Sequence, residues 1–264
     1  MLKIIKKYLP KVIVHIFYKF IHFCRAILLK GDSYFCPICK FKASKFLSYG
    51  QDYDAIKKFK IIGMGHRKNA LCPNCLCKDR ERLVYLFLEK QLKEKKINSV
   101  SKIIHFSPEY SLENNFFRKK FTNYTNADIT NGKCNIDIDL QNFNYKEKNF
   151  DLVICNHVLE HIENDLIALK NIYLILKPKG LAILQVPLST IIKKDFKKEN
   201  INTDKERLYN YGQIDHVRVF SKENYLDKLK HVGFKLKLDY MEKEKKNIIS
   251  YGLNLEEFII QVEK

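Results

Sequence analysis

Glycine is absent from residues 105–116, which read HFSPEYSLENNF. This stretch follows the apolar run 100–104. A strand that leads into a helix is where enzymes with nucleotide cofactors normally place a glycine-rich loop. The absence leaves two alternatives: either the chain binds no such cofactor, or it binds one by other means. The rest of the sequence has to decide between them.

The first 30 residues lack acidic side chains and carry seven basic ones. Their apolar residues recur every three or four positions, which predicts an amphipathic helix that Pro10 kinks. The stripe consists of Leu2, Ile5, Leu9, Val12, Ile16, Phe20, Phe23 and Ile27. Such a helix can lie on an anionic membrane surface, or it can pack its stripe on its own domain.

Neither a membrane span nor a cleaved leader is expected in this region. Lys19 interrupts the apolar run, which argues against a transmembrane helix. A small-residue cleavage site of a signal peptide is lacking. We therefore expect a cytoplasmic protein, with peripheral contact to the inner membrane face as the alternative.

The formal net charge of +18 does not by itself identify a partner. Of the 48 basic residues 41 are lysine, the other seven being arginine, and they are scattered along the chain. A compact basic patch interleaved with aromatic residues is lacking, so nucleic-acid binding is not the favoured interpretation. Apolar residues make up 46% of the chain, which is enough for a sizeable core.

Four of the eight cysteines form two C-x2-C pairs with 32 residues between them. This pattern indicates metal binding rather than a disulfide framework. The two pairs together predict a tetrahedral zinc site with four thiolate ligands, Cys36, Cys39, Cys72 and Cys75. Because catalytic zinc keeps an open position, the role is predicted to be structural. Cys77 is a spare thiol that complicates the ligand assignment.

The cysteines delimit three regions of the chain. We expect an N-terminal helix over residues 1–30. A zinc-ribbon-like module with the connecting amphipathic helix Asp79–Lys90 then spans residues 31–95, and a larger domain spans residues 96–264. In this domain strand-like and helix-like segments alternate, which predicts an α/β fold with a doubly wound, mostly parallel sheet.

The predicted strands end in polar residues, where ligands bind on such sheets. The expected strands are 101–106, 124–128, 135–139, 150–156, 181–186, 234–240 and 257–262, and the helices are 112–121, 163–176 and 222–232. The polar positions are His105, Ser107, Glu109, Asp128, Asp139, Asn156 and His157. An acid at the end of the second strand is placed to accept hydrogen bonds from a ribose diol.

Residues 149–187 (NFDLVICNHVLEHIENDLIALKNIYLILKPKGLAILQVP) resemble the unit from the fourth to the fifth strand of class I S-adenosylmethionine-dependent methyltransferases, in particular the type 11 group. The marks are FD at 150–151, VLEH at 158–161 and LKPKG at 176–180, where the family usually has glycine in place of Lys179. With the cysteine module, the HFSPE loop and the GQIDHVRVF segment at 212–220, the chain resembles a bacterial subgroup with an N-terminal zinc ribbon.

The resemblance implies cofactor-binding roles along the strand ends. The first loop, with His105, Phe106, Ser107 and Glu109, borders the methionine part of the cofactor, although the family's usual E/D-x-G-x-G-x-G signature is missing. Asp128 binds the ribose hydroxyls, Asp139 and Leu140 flank the adenine, and Asn156 and His157 line the pocket near the sulfonium. For Glu160 and His161 we favour a structural role in the turn over catalysis.

A general base is sought after the fifth strand, where the polar insertion 189–207 is of the kind that covers an active site. His216, next to Asp215, is suited to accept a proton, and His157 completes the candidate catalytic set. Alternatively, Asp215, His216 and Arg218 tie the insertion to the body. We expect a methyltransferase with S-adenosylmethionine and structural zinc, acting on a small-molecule or glycan acceptor. The alternative is a degenerate methyltransferase fold that serves as a nucleic-acid-binding or adaptor protein.

Overall fold

A computed structural model describes residues 11–143, 149–240 and 247–264 of the chain. Its helices are α1 (Lys11–Leu28), α2 (Asp54–Phe59), α3 (Asp79–Lys93), α4 (Tyr110–Leu112), α5 (Arg118–Lys120), α6 (Asp165–Ile175), α7 (Asp204–Tyr211) and α8 (Lys222–Val232). A π-helical turn (Glu113–Phe117) joins α4 to α5, and a 3₁₀ helix spans Leu159–His161. The strands are β1 (Lys30–Phe35), β2 (Lys42–Ala43), β3 (Leu47–Tyr49), β4 (Ile61–Ile62), β5 (Arg67–Leu71), β6 (Ile103–Phe106), β7 (Tyr124–Asp128), β8 (Ile136–Asp137), β9 (Phe150–Cys155), β10 (Leu176–Ile183), β11 (Leu188–Ser189), β12 (Phe220–Ser221), β13 (Lys235–Asp239) and β14 (Ile259–Glu263).

The central sheet has the strand order β13-β14-β10-β9-β6-β7-β8. Strand β14 runs antiparallel to β10 and β13, whereas the pairs β10–β9, β9–β6, β6–β7 and β7–β8 are parallel. Strands β6 and β9 read as nearly continuous apolar runs because both of their faces are covered. The predicted α/β fold with a mostly parallel sheet is confirmed.

Two hydrophobic cores cover the two faces of this sheet. On one face Ile104 and Val153 pack with residues of α6 and α8, such as Ile172. On the other face Ile103 packs with Phe87 of α3 and with apolar residues of the cysteine module. Alternate strand residues point to opposite faces, so one run of apolar residues serves both cores.

The LKPKG segment at 176–180 does not form the turn that the predicted helix 163–176 and the predicted strand 181–186 leave between them. Helix α6 ends at Ile175, and β10 begins at once with Leu176, which pairs with Phe150. The register then shifts before Leu181, and Lys179 adopts the left-handed conformation with φ = 64°. The proline ends the helix, and the extra residues form a bulge inside the strand.

The cysteine module is joined to the α/β domain by main-chain and side-chain bonds. Strand β4 pairs with β11, which in turn pairs with β12, so one small sheet contains strands of both parts. The fully buried guanidinium of Arg82 donates to the carbonyl oxygens of Ala70, Tyr251 and Gly252 at 3.0, 2.6 and 2.8 Å. The module is therefore fixed against the carboxyl end of the sheet.

Helix α1 carries three residues of the apolar stripe whose side chains the structure describes, and all three are exposed. Phe20, Phe23 and Ile27 are 62%, 62% and 58% exposed, so most of the surface of these three residues is not packed against the described residues. The predicted kink at Pro10 lies outside the described residues. No helix in the described parts of the chain is both long and apolar enough to cross a membrane. Contact of α1 with an anionic membrane surface stays a prediction.

Candidate active site

A cavity of about 470 Å³, here called the strand-end cavity, opens at the carboxyl ends of β6, β7 and β9. The chain leaves β6 toward β7 and β8 and returns to pair β9 on the other side of β6, so the strand order reverses at this point. Such a reversal is where α/β sheets bind their ligands. Seven residues singled out in the sequence line the cavity: Phe106, Ser107, Asp128, Asp139, Leu140, His157 and Asp215. Four others, His105, Glu109, Asn156 and His216, do not line the cavity, and all but Glu109 are buried.

In the glycine-free loop after β6, a serine adopts the left-handed backbone conformation that glycine usually provides. Ser107 has φ = 46°, in the left-handed region, and its N–H donates to the carbonyl of Ala127 at 2.7 Å. The fully buried ring of His105 holds Glu109 through Nε2 and Oε2 at 3.1 Å and meets the Tyr124 hydroxyl at 3.2 Å. Although burial acts to raise it, the bond and charge of His105 keep the pKa of Glu109 below its usual range. His105 and Glu109 therefore stiffen the loop from behind.

Replacing Ser107 by glycine is expected to raise the free energy of unfolding by about 0.5–1 kcal/mol, because a left-handed backbone strains any residue with a Cβ atom. Urea denaturation measures the change. The neighbouring variant Ser111→Gly, inside α4, should instead lower it by a similar amount. A loss of stability in Ser107→Gly would show that the serine side chain outweighs the backbone strain.

Asp128, at the end of β7, presents an ionised carboxylate to the cavity. Its Oδ1 accepts the N–H of Thr130 at 2.9 Å, and its Oδ2 accepts from Lys133 Nζ at 2.6 Å. Burial acts to raise the pKa of Asp128, but the bonds from Lys133 and Thr130 bring it below the usual value. A carboxylate has about four acceptor positions, so two remain for a ligand diol.

Two further residues predicted to bind the cofactor differ in their bonding. Asp139 lines the cavity, and its two oxygens accept from Gln141 N–H and Asn142 Nδ2 at 2.8 and 2.7 Å. Asn156 follows β9 and is 5% exposed, and neither its Oδ1 nor its Nδ2 has a partner among the described residues. A buried amide without partners is rare in proteins and indicates a place for a polar ligand atom or an ordered water.

His157 is held beside a buried carboxyl group at the end of β9. Its backbone is left-handed, with φ = 55°, and its N–H donates to the carbonyl of Gln185 at 2.7 Å. Its Nδ1 lies 3.4 Å from Oε1 of Glu160, which is 2% exposed. Burial lowers the pKa of His157 and raises that of Glu160 to about 7. Glu160, which we expected to serve the turn, therefore contacts a candidate catalytic group.

His216 and Asp215 are separated by the structure. His216 is 3% exposed, lies 4.0 Å from Glu160 through Nε2, and packs edge-on against His161. Burial lowers the pKa of His216 to about 3. Asp215 is exposed at the rim of the cavity, where its Oδ2 lies 3.3 Å from His161 Nδ1. His216 thus backs Glu160, and it does not line the cavity.

Arg218 shows how the insertion is attached to the body. It pairs with Asp165 at 2.6 Å, and its Nη2 donates to the carbonyl groups of Ile162 and Glu163, both at 2.7 Å. This is the tying role that we considered as the alternative for the 215–218 segment. Because these bonds fix the segment beside the 3₁₀ helix, they also hold His216 against Glu160.

Gly63 of the cysteine module reaches the active site from the opposite side. A Cβ atom built on Gly63 would lie 3.5 Å from Cε1 of His157. Gly63 and His157 also border one small cavity of about 20 Å³, and Gly63 borders a second large cavity of about 500 Å³. His157 therefore lines the strand-end cavity and lies next to a residue that lines the second large cavity. No local pattern in the sequence indicates this contact, because the two residues are far apart along the chain.

Five cysteines gather at the junction of β1, β2 and β5. The thiol groups of Cys36, Cys72, Cys75 and Cys77 all lie within 4.8 Å of one another. Cys39, the fourth ligand expected from the sequence, lies 3.8 Å from Cys72. Proximity alone thus leaves both Cys39 and Cys77 as candidates for the fourth position.

The two C-x2-C turns have the same backbone bonds. Cys36 N–H donates to Phe41 and Cys72 N–H to Cys77, each to the carbonyl five residues ahead. Lys40 and Leu76, at the residue after each second cysteine, are both left-handed. Cys77 therefore occupies the position that Phe41 has in the first turn, while Cys39 and Cys75 are equivalent.

A parallel sheet with a polar cavity at its point of reversal defines a ligand-binding α/β domain. Residues 79–238 match a family described as a methyltransferase domain. The match covers more than half of the chain, and the protein belongs to this family. A comparison with curated proteins found no match.

Solved structures similar to this chain share little sequence with it. An S-adenosylmethionine-dependent methyltransferase from Mesorhizobium loti is 12% identical over 66% of this chain and 96% of its own, with a TM-score of 0.46. One from Archaeoglobus fulgidus is 14% identical over 70% and 94%, with a TM-score of 0.44. A Burkholderia thailandensis 1,6-didemethyltoxoflavin-N1-methyltransferase, solved with bound 1,6-didemethyltoxoflavin and S-adenosylhomocysteine, is 13% identical over 70% and 77%, with a TM-score of 0.44.

Proposed function

We propose that the protein transfers a methyl group from S-adenosylmethionine to a small-molecule acceptor. The observation that carries the proposal is His157, which lines the strand-end cavity and lies next to Gly63, a residue that lines the second large cavity. In a methyl transfer the acceptor and the methyl donor must meet in line at one point. The two cavities approach each other at this residue.

The residues of the strand-end cavity fit the cofactor. The ionised Asp128 at the end of β7 has acceptor positions free for the ribose hydroxyls. Apolar side chains that include Ile129, Ile138 and Leu140 line the neighbouring part of the cavity and suit an adenine ring. Asn156, which does not line the cavity but precedes His157 in the chain, keeps a buried amide without a partner among the described residues. Phe106 and Ser107 then border the methionine part.

The chain's own groups supply the proton chemistry. When bound, S-adenosylmethionine supplies an electrophilic methyl group on a sulfonium. His157, kept neutral by burial, accepts the proton that the acceptor hydroxyl or amine loses. Glu160 faces the other ring nitrogen at 3.4 Å and stabilises the imidazolium that forms. His216 and the bonds of Arg218 hold Glu160 in place.

Asp128→Ala is expected to weaken binding of S-adenosylhomocysteine by about 10- to 100-fold, because hydrogen bonds to a charged group contribute roughly 1.5–3 kcal/mol. Calorimetric titration of the full chain measures the affinity. The matched control is Asp137→Ala, at the exposed end of β8, which should bind like wild type. Equal affinity in Asp128→Ala would remove Asp128 from the site. Failure of the wild type to bind would contradict the methyltransferase proposal and favour a binding or adaptor role.

We further propose that the cysteine cluster holds a structural zinc ion through Cys36, Cys39, Cys72 and Cys75. The 3.7 Å between Cys36 and Cys75 and the 3.8 Å between Cys39 and Cys72 match the edge of a tetrahedron with Zn–S bonds of about 2.3 Å. The 3.4 Å between Cys36 and Cys77 is shorter than this edge. The equivalent backbone of the two turns supports the same four residues.

A further inference from the structure

The second large cavity, here called the ribbon cavity, lies between the cysteine module and the segment that follows α7. Its walls include Tyr49, Gly50, Gly65 and Arg80 of the module and Gln213 of the insertion. Gly50 and Gly65 are both left-handed and touch, since a Cβ atom on Gly50 would fall 1.9 Å from the Gly65 carbonyl oxygen. Only glycine fits at this contact, so the wall depends on a close approach of two main chains.

Two arginines line this cavity, and only one of them is paired with a carboxylate. Arg67 is neutralised by Asp79, with Nε and Nη2 donating to the two carboxylate oxygens at 2.6 and 3.0 Å. The Nε of Arg80 is buried without any partner, and none of the ion pairs found among the described residues includes Arg80. A buried guanidinium donor is costly to leave unsatisfied. The geometry therefore leaves Arg80 available to a ligand.

Acidic groups near Arg80 do not cancel its charge. Burial raises the pKa of Glu81 and of Glu257 to about 7, so both carry only part of their charge near neutral pH. Glu109 is ionised but is already bonded to His105 at 3.1 Å. On the other side, Lys78 adds positive charge, with its Nζ 5.1 Å from the centre of the Tyr49 ring.

We propose that the ribbon cavity binds an acceptor that carries a carboxylate or phosphate group, and that Arg80 recognises this group. The planar fork of arginine matches both anions through paired hydrogen bonds. Gly63 borders both the ribbon cavity and the small cavity that His157 lines, so an acceptor anchored at Arg80 extends its reacting hydroxyl or amine past Gly63 toward His157. This inference rests on the methyltransferase function proposed above. It assigns substrate recognition to the cysteine module.

The test uses the full chain saturated with S-adenosylhomocysteine, with methyl phosphate and acetate as separate probes. Dissociation constants come from the rise in Tm with probe concentration. Arg80→Ala should weaken binding of the preferred anion by about tenfold or more, and Arg80→Lys, which keeps the charge but not the fork, should fall between. Arg118→Ala, an exposed arginine paired with Glu113, is the matched control and should bind like wild type. The anion that binds more tightly identifies the class.

Equal affinities in wild type and Arg80→Ala would overturn the proposal, because the anions would then sit on other basic residues. Absence of anion binding by the wild type would overturn it as well. If Arg80→Ala does not fold, Arg80→Lys against wild type decides by the same criterion. Titration with S-adenosylhomocysteine alone tests the methyltransferase proposal separately, so its failure can be distinguished from failure of the anion site.

Discussion

His157→Ala should lower the rate of methyl transfer by about 10²- to 10⁴-fold, the usual contribution of a positioned general base. Binding of S-adenosylhomocysteine should change little, because Asp128 and the apolar wall remain. The rate is measured as transfer of labelled methyl from S-adenosylmethionine into a small-molecule extract of the source cells. His231→Ala, an exposed histidine on α8, is the matched control. An unchanged rate in His157→Ala would exclude this residue as the base.

The pH dependence of the methyl-transfer rate distinguishes the role of His157 from that of Glu160. Burial keeps the pKa of His157 below 6.5, so the imidazole is neutral above that pH and does not limit the rate there. Burial raises the pKa of Glu160 to about 7, so the carboxylate forms, and assists His157, as the pH rises through 7. The rate should therefore increase across this range. Glu160→Gln should lose that increase, with a smaller loss of rate than His157→Ala.

The second large effect concerns the metal. Wild-type protein is expected to hold one zinc ion per chain, Cys39→Ser is expected to lose it, and Cys77→Ser is expected to keep it. The apparent binding free energy of structural zinc is on the order of 10 kcal/mol, so its loss should also lower Tm markedly. Metal analysis after gel filtration and a thermal melt measure both effects. Loss of zinc from Cys77→Ser would contradict the assignment from the two equivalent turns.

Cys77 has its own partner in the fold, so its position is fixed without a metal bond. Arg82 Nη1 donates to the Cys77 carbonyl at 2.9 Å and approaches its thiol at 3.6 Å. Burial raises the pKa of the Cys77 thiol. In Cys77→Ser the hydroxyl can accept the same bond from Arg82, so the fold should tolerate the change.

The sequence predicted the parts of the molecule that depend on local patterns. Apolar runs that end in polar residues predicted the positions of β6, β7 and β9. Because the ends of parallel strands meet at one edge of a sheet, Asp128 and His157 were expected near each other. The C-x2-C pairs located the cysteine cluster in the same way. The cofactor and catalytic roles of these residues stay predictions until the titrations above are made.

The rest depends on contacts between distant segments, for which the sequence holds no local signal. Strand β4 has two residues, and only its pairing with β11 brings Gly63 to His157. His216 was predicted to accept a proton beside Asp215. In the structure Arg218 fixes this segment through Asp165, and His216 lies 4.0 Å from Glu160. Cys39 and Cys77 become distinguishable only through the main-chain bonds of the two turns.

The bonds of Arg82 constrain when the protein can fold during synthesis. Two of its acceptors, the carbonyls of Tyr251 and Gly252, lie 169 and 170 residues later in the chain. Strand β14 inserts between β10 and β13 and ends at Glu263. The bonds of the buried guanidinium need residues 251 and 252, and the sheet needs β14, so neither can be completed before these residues leave the ribosome. The proposed zinc ion can bind to the cysteine module early, but the docking of the module, and with it the ribbon cavity, must wait until residues 251–263 have left the ribosome.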